Sequence, residues 1–230
     1  MSGAGGALER QVSLPTAAVT LDGTLGVPPD ARGIVLFAHG SGSSRFSPRN
    51  RYVARVLREA GLATLLVDLL SPSEEQADLA TGRLRFDIGL LADRLVDGLE
   101  WLAREPSTRA LPLGLFGAST GGGAALVTAA RRPEGVSAVV SRGGRPDLAG
   151  DALPRVRAPT LLLVGGHDDV VIELNREAMR QMQAEVRLEI VPGASHLFEE
   201  PGALERVAVL ARDWFLHHLA ALESPLSRRR

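Results

Sequence analysis

Three groups of residues in this chain have the types and order needed for nucleophilic chemistry. The first is Gly117-Ala118-Ser119-Thr120-Gly121, a G-x-S-x-G run between the apolar stretch LPLGLFG and the small-residue stretch TGGGAALVTAARR. A serine at a sharp strand-to-helix turn has its hydroxyl lifted above the sheet, and a turn that tight leaves no room for side chains at its flanks. The helix that follows aims its positive end at the reacting group, which makes the amide of Thr120 a candidate oxyanion donor. Each glycine in a helix interior costs about 1 kcal/mol relative to alanine, so Gly122 and Gly123 predict a helix packed close to neighbouring strands. A serine becomes a good nucleophile only beside a base oriented by an acid, and this turn requires the chain order serine, acid, histidine.

The second and third groups supply that order. The apolar run PTLLLVGG ends at His167-Asp168-Asp169, and VRLEIV ends at Pro192-Gly193-Ala194-Ser195-His196. Asp168 is a candidate acid and His196 the candidate base. Asp169 is read as the cap of a helix starting near Val171; Asp147, after VSAVVS, is a third possible acid or a plain surface residue. The stretch FAHGSGSSRFSPRN offers a second oxyanion donor, the amide of Ser41, with His39 as a structural part of the loop. It does not give a dinucleotide fingerprint, because Gly40-Ser41-Gly42-Ser43-Ser44-Arg45 ends in arginine where the third glycine belongs. Arg142 and Arg145 lie beyond a predicted strand end, placed either to meet an anionic substrate or to pair with surface acids.

These residues need elements to hold them. GIVLFAHG, ATLLVDLL, LPLGLFG, VSAVVS, PTLLLVGG and VRLEIV are short, nearly continuous apolar runs, the pattern of strands buried on both faces. Amphipathic segments alternate with them: one opening at Ser47-Pro48 and stopping at Gly61, then FDIGLLADRLVDGLEWLARE, TGGGAALVTAARR, IELNREAMRQMQ and ALERVAVLARDWFLHHLAAL. QVSLPTAAVTL, Asp22-Gly23 and TLGV read as an opening hairpin. Residues 72–83 are polar and read as loop. The predicted fold is α/β: a mostly parallel, doubly wound sheet with an N-terminal hairpin and no large lid, as one domain over 1–230 with flexible ends at 1–6 and 224–230. Ligands of such sheets bind beyond the carboxyl ends of the strands, where all three groups fall.

Composition removes other chemistries. There is no cysteine, hence no thiol nucleophile or disulfide, and all 26 basic residues are arginine, hence no Schiff-base lysine. The net charge of −1 argues against nucleic acid or anionic membrane as partner. With no basic n-region, no apolar h-region and no apolar stretch approaching ~18 residues, the chain is expected in the cytoplasm. No metal or organic cofactor is expected, and oligomeric state is not legible.

HGSGSS, GASTG, VGGHDDVV and PGASHLF together resemble the α/β-hydrolase superfamily, in its small dienelactone-hydrolase-like branch, from about Gly33 to the last helix. SPRN and SRGGRPDLAG resemble a subgroup found joined to phosphoribosyltransferase domains. The resemblance selects Asp168 by its spacing from Gly165 and Val170. It implies a triad of Ser119, Asp168 and His196 and hydrolysis of a small-molecule ester through an acyl-enzyme. The enzyme that names the branch uses cysteine; this chain has Ser119. By analogy with small lidless relatives, acyl chains of about two to six carbons are expected, since a shallow pocket gains only ~0.8 kcal/mol for each methylene it covers. Thioester hydrolysis or acyl transfer on the same residues, and a non-catalytic binding module, are the alternatives.

Overall fold

The computed structural model describes residues 8–219, so the ends expected to be flexible, 1–6 and 224–230, lie outside the described residues. Eight strands form one sheet in the order β1-β2-β4-β3-β5-β6-β7-β8. They are β1 (Leu8–Pro15), β2 (Thr20–Val27), β3 (Ile34–Ala38), β4 (Ala63–Val67), β5 (Leu113–Ala118), β6 (Ala138–Arg142), β7 (Thr160–Gly165) and β8 (Val186–Val191). β1 and β2 pair antiparallel, as do β2 and β4; every pairing from β4 through β3 to β8 is parallel.

The central strands are apolar throughout because both faces are covered. On β3, Val35 and Phe37 enter one cluster with α1 (Pro48–Glu59) and α6 (Ala203–His218), while Ile34, Leu36 and Ala38 enter another with α3 (Ile88–Leu102) and α4 (Thr120–Arg131). This is the two-residue alternation of a strand serving two cores. α1 starts as its sequence predicts, with Ser47 accepting from Asn50 N at 3.4 Å and Pro48 in the first turn. Among the described residues no helix is long and apolar enough to cross a membrane.

Three expectations need correction. The hairpin turns at Thr16–Val19, where the Thr16 hydroxyl accepts from Val19 N at 3.1 Å, and not at Asp22-Gly23. Gly23 lies inside β2, paired with Val12, where a Cβ would come 3.0 Å from the ends of the Leu14 and Val12 side chains. Residues 72–81 form a helix, α2 (Pro72–Thr81), rather than a loop. Its start carries a capping box: Ser71 accepts from Glu74 N, and Glu74 accepts from Ser71 N. The helix after β7, α5 (Asp169–Gln181), begins at Asp169, so its cap position falls on Asp168.

Candidate active site

The turn between β5 and α4 is built by exclusion of side chains. Ser119 has φ 51° and ψ −121°, a conformation that costs a non-glycine residue of order 1–3 kcal/mol. A Cβ on Gly117 would lie 2.6 Å from Gly122 Cα, and one on Gly121 would lie 2.6 Å from His39 O. Further along, a Cβ on Gly123 would meet Arg145 O at 2.8 Å, so α4 presses against the segment after β6. Backbone bonds lock the turn to that segment: Ser119 N donates to Arg142 O at 3.2 Å, and Arg145 N donates to Ser119 O at 3.1 Å.

His196 and Asp168 meet although 28 residues separate them: His196 Nδ1 donates to Asp168 Oδ2 over 2.6 Å. Both loops are shaped for this. Gly165 is glycine because the histidine loop crosses it, with a Cβ there falling 2.5 Å from Ala194 O; His167 N donates to Ala194 O at 2.9 Å. Gly143, at φ 50°, lies beneath the imidazole, where a Cβ would be 3.5 Å from Nδ1 and Cε1 and 3.1 Å from His196 O. Residues 142–145 therefore touch both the serine turn and the histidine. Of the three acids, Asp168 is the one bonded to His196. Asp169 opens α5, and Asp147 is held by Arg145 through bonds of 2.8 and 2.6 Å.

The Ser41 side of the turn has a different architecture. His39 is buried between Gly40 O (Nδ1, 2.9 Å) and the Leu69 amide (Nε2 accepting, 3.0 Å). Burial pushes its pKa below the usual 6.5, outweighing the Gly40 carbonyl and nearby carboxylates. The ring is thus a neutral bracket between the Ser41 loop and the end of β4. The Ser41 amide donates to Thr120 Oγ1 at 2.9 Å. Beside these two residues opens a cavity of about 410 Å³, walled by Leu69, Leu70, Leu91 and the α2 residues Pro72, Glu75, Gln76 and Leu79. It reaches Ser41 and Thr120, and its lining includes neither Ser119 nor His196.

The two arginines part company. Arg145 pairs with Asp147, and neither arginine lines the cavity. Arg142 is 7% exposed, its Nε and Nη1 meet no acceptor among the described residues, and its guanidinium lies 6.0 Å from the centre of the Phe198 ring. Burial, with Arg49 nearby, lowers its pKa to about 10, so it stays charged at neutral pH. Sequence reasoning missed Asn175, which is fully buried on α5 and donates to Gly144 O at 3.0 Å, steadying the loop shared by serine and histidine. A polar residue on the apolar stripe of an amphipathic helix was its one visible signal.

A serine on a glycine-lined elbow above a mostly parallel eight-stranded sheet, with an acid and a histidine following at later strand ends, defines the α/β-hydrolase class. Residues 21–219 match the dienelactone hydrolase family, and the chain belongs to that family. It is 64% identical to the dienelactone hydrolase from Anabaena variabilis ATCC 29413, whose crystal structure superposes with a TM-score of 0.92 over 93% of this chain and 99% of that one. It is 59% identical over 211 residues, 92% of this chain, to a Mycobacterium tuberculosis (strain H37Rv) protein provisionally named a phosphoribosyl transferase. The chain spans about half the length of that relative, 47%. A Bradyrhizobium protein provisionally named a 2-oxo-3-(5-oxofuran-2-ylidene)propanoate lactonase is 31% identical over 174 residues, 66% of this chain and 69% of that one.

Proposed function

We propose that the chain is a serine hydrolase that cleaves small carboxylic esters through an acyl-enzyme. His196 Nε2 takes the proton of Ser119 as its oxygen attacks the ester carbonyl, while Asp168 holds Nδ1–H and stabilises the imidazolium. The oxyanion forms at the N-terminus of α4, against the Thr120 amide and the Ser41 loop. The alcohol leaves with the proton from His196, which next activates water to release the acid and free Ser119. The observation that carries this reading is the 2.6 Å Asp168–His196 bond, made across the Gly143 loop to which the strained Ser119 is itself bonded.

The cavity lies at the low end of the range for small-molecule sites, about 300–1,000 Å³, which supports short acyl groups over long chains. Arg142, charged and without a carboxylate among the described residues, is the better of the two arginines for meeting an anionic substrate, although it lies outside that cavity. Cyclic esters are a second reading within the class, favoured by the lactone-cleaving names of two relatives. Phosphoribosyl transfer is said of a protein of which the match covers 47%, and residues 21–219 of this chain match the hydrolase family. Turnover of p-nitrophenyl acetate and of a five-membered enol lactone by wild type and Ser119→Ala tests the reading. The variant is expected to lose both activities; retention of either contradicts it, and new ester formed from an added alcohol would point to acyl transfer.

A further inference from the structure

The Ser41 amide, the oxyanion donor expected from the loop after β3, is spent on the Thr120 hydroxyl at 2.9 Å. The bond spans 79 residues and lies at the wall of the cavity, with Thr120 4% exposed. A hydroxyl has one proton and two lone pairs. With a lone pair occupied by Ser41 N–H, the Thr120 proton still has to be donated, and among the described residues it has no acceptor. Two turns along the same helix, Thr128 shows the ordinary outlet: its hydroxyl donates back to Ala124 O at 2.8 Å. Thr120 is denied that outlet, because it is the first residue of α4 and the residue four before it, Phe116, belongs to β5. Its amide, for the same reason, has no helical carbonyl to bond. One residue next to Ser119 thus presents two unspent donors.

We propose that the Thr120 hydroxyl is itself a donor to the oxyanion. Thr120 N–H and Oγ1–H converge on the oxygen that becomes negative when Ser119 attacks, and Ser41 N–H acts through Oγ1, polarising the hydroxyl rather than touching substrate. A donor that is also an acceptor binds more strongly by cooperative polarisation. No bond to Thr120 forms or breaks, and its proton stays on Oγ1 throughout. Ser41 is then a positioning residue, held by its rigid loop: a Cβ on Gly40 would fall 3.1 Å from Ser119 Cβ, and His39 clamps the Gly40 carbonyl. This rests on the reading of Ser119 as nucleophile.

The experiment compares wild type, Thr120→Ser, Thr120→Val, Thr120→Ala and Ser119→Ala on p-nitrophenyl acetate, with inhibition by an aryl trifluoromethyl ketone, whose hemiketal carries the oxyanion. Valine keeps the shape of threonine without its proton, so Thr120→Val is expected to lose about 10²–10³ in kcat, as for one oxyanion donor, with KM changed less than about threefold. Ketone affinity is expected to fall by the same factor, and Thr120→Ser to keep kcat within about tenfold of wild type. If Thr120→Val does not fold, Thr120→Ala decides in its place. Wild-type or higher kcat in the valine or alanine variant overturns the inference, because the Ser41 amide then binds the oxyanion directly. A kcat loss without loss of ketone affinity also overturns it, leaving only a structural latch. Turnover by Ser119→Ala would instead sink the reading of the site; a silent Ser119→Ala beside a fully active Thr120→Val sinks this inference alone.

Discussion

The serine turn and the α2 wall face the same cavity but are held by opposite means. From Thr120 to Leu126 every residue of α4 is buried, and the turn is fixed by backbone pressed on backbone, with no room for a Cβ at Gly117, Gly121 or Gly123. In α2, by contrast, Asp78 is the sole buried residue, and Leu79 is 70% exposed. That helix hangs on polar side chains. Arg94, buried on α3, donates to Glu74 Oε1 at 2.7 Å and to Thr16 Oγ1 at 2.8 Å, so it ties the helix cap to the hairpin turn. Asp78 accepts from Leu84 N at 2.7 Å and Arg85 Nε at 2.6 Å. Chemistry sits where packing leaves one arrangement. The α2 wall of the cavity sits where a few ion pairs set the position and a few substitutions can change it.

The largest effect that divides the two regions concerns the acid. Asp168→Asn is expected to lower kcat by about 10⁴, since the wrong imidazole tautomer is then favoured. Asp169→Asn and Asp147→Asn are expected to stay within about tenfold of wild type. Steady-state kinetics of the three variants decides it; a collapse with Asp147→Asn would move the acid to the end of β6.

Next comes a pair chosen to break the comparison. Gly121→Ala is expected to destabilise the protein by about 3 kcal/mol or more, because the added methyl meets the backbone carbonyls of Ala38 and His39, which cannot yield. Asp78→Asn is expected to leave the catalytic turn intact and to act on the wall. KM and the preference among acyl chains should shift, kcat for the smallest ester should not, and hydrogen exchange should quicken in 72–86 before the sheet. Equal loss of activity in both variants would mean that α2 is part of the rigid machinery. Acid should imitate Asp78→Asn: burial raises the Asp78 pKa, but bonds from Arg85 and the Leu84 and Arg85 amides outweigh that and lower it below 3.8. Its contribution is therefore present above the usual carboxylate range and lost as pH falls through the lowered value.

The smallest expected effect is at the bracket of the Ser41 loop. His39 is neutral when folded, with its pKa held below 6.5 by burial. The unfolded chain thus takes up a proton that the folded chain does not, and stability falls as pH drops below about 6.5. Denaturation midpoints measured from pH 8 to 5 should slope downward in wild type and less so in His39→Gln. An unchanged slope would show that His39 protonates freely in place.

Much of this was legible before any coordinates. Buried parallel strands announce themselves as unbroken apolar runs, and the glycines of the elbow have no use except close approach, so Ser119, Asp168 and His196 fell at strand ends in the required order. What stayed hidden depends on partners far along the chain. α2 has a Ser-Pro start and a capping box in plain view, but lacks an apolar stripe because its anchor is ionic. Asp22-Gly23 looks like a turn; the demand for glycine comes instead from Val12 and Leu14 across the hairpin. The buried state of Arg142, and the bond that takes up the Ser41 amide, arise only when β6 meets the histidine loop and β3 meets α4.

The central claim is that Ser119 is the nucleophile, and covalent labelling tests it most directly. Incubation with a small alkyl fluorophosphonate followed by intact-mass and peptide analysis should show one adduct, on the peptide carrying Ser119, appearing in step with loss of ester turnover and absent from Ser119→Ala. An adduct on another residue, or inhibition-resistant turnover with Ser119 unlabelled, would contradict the account.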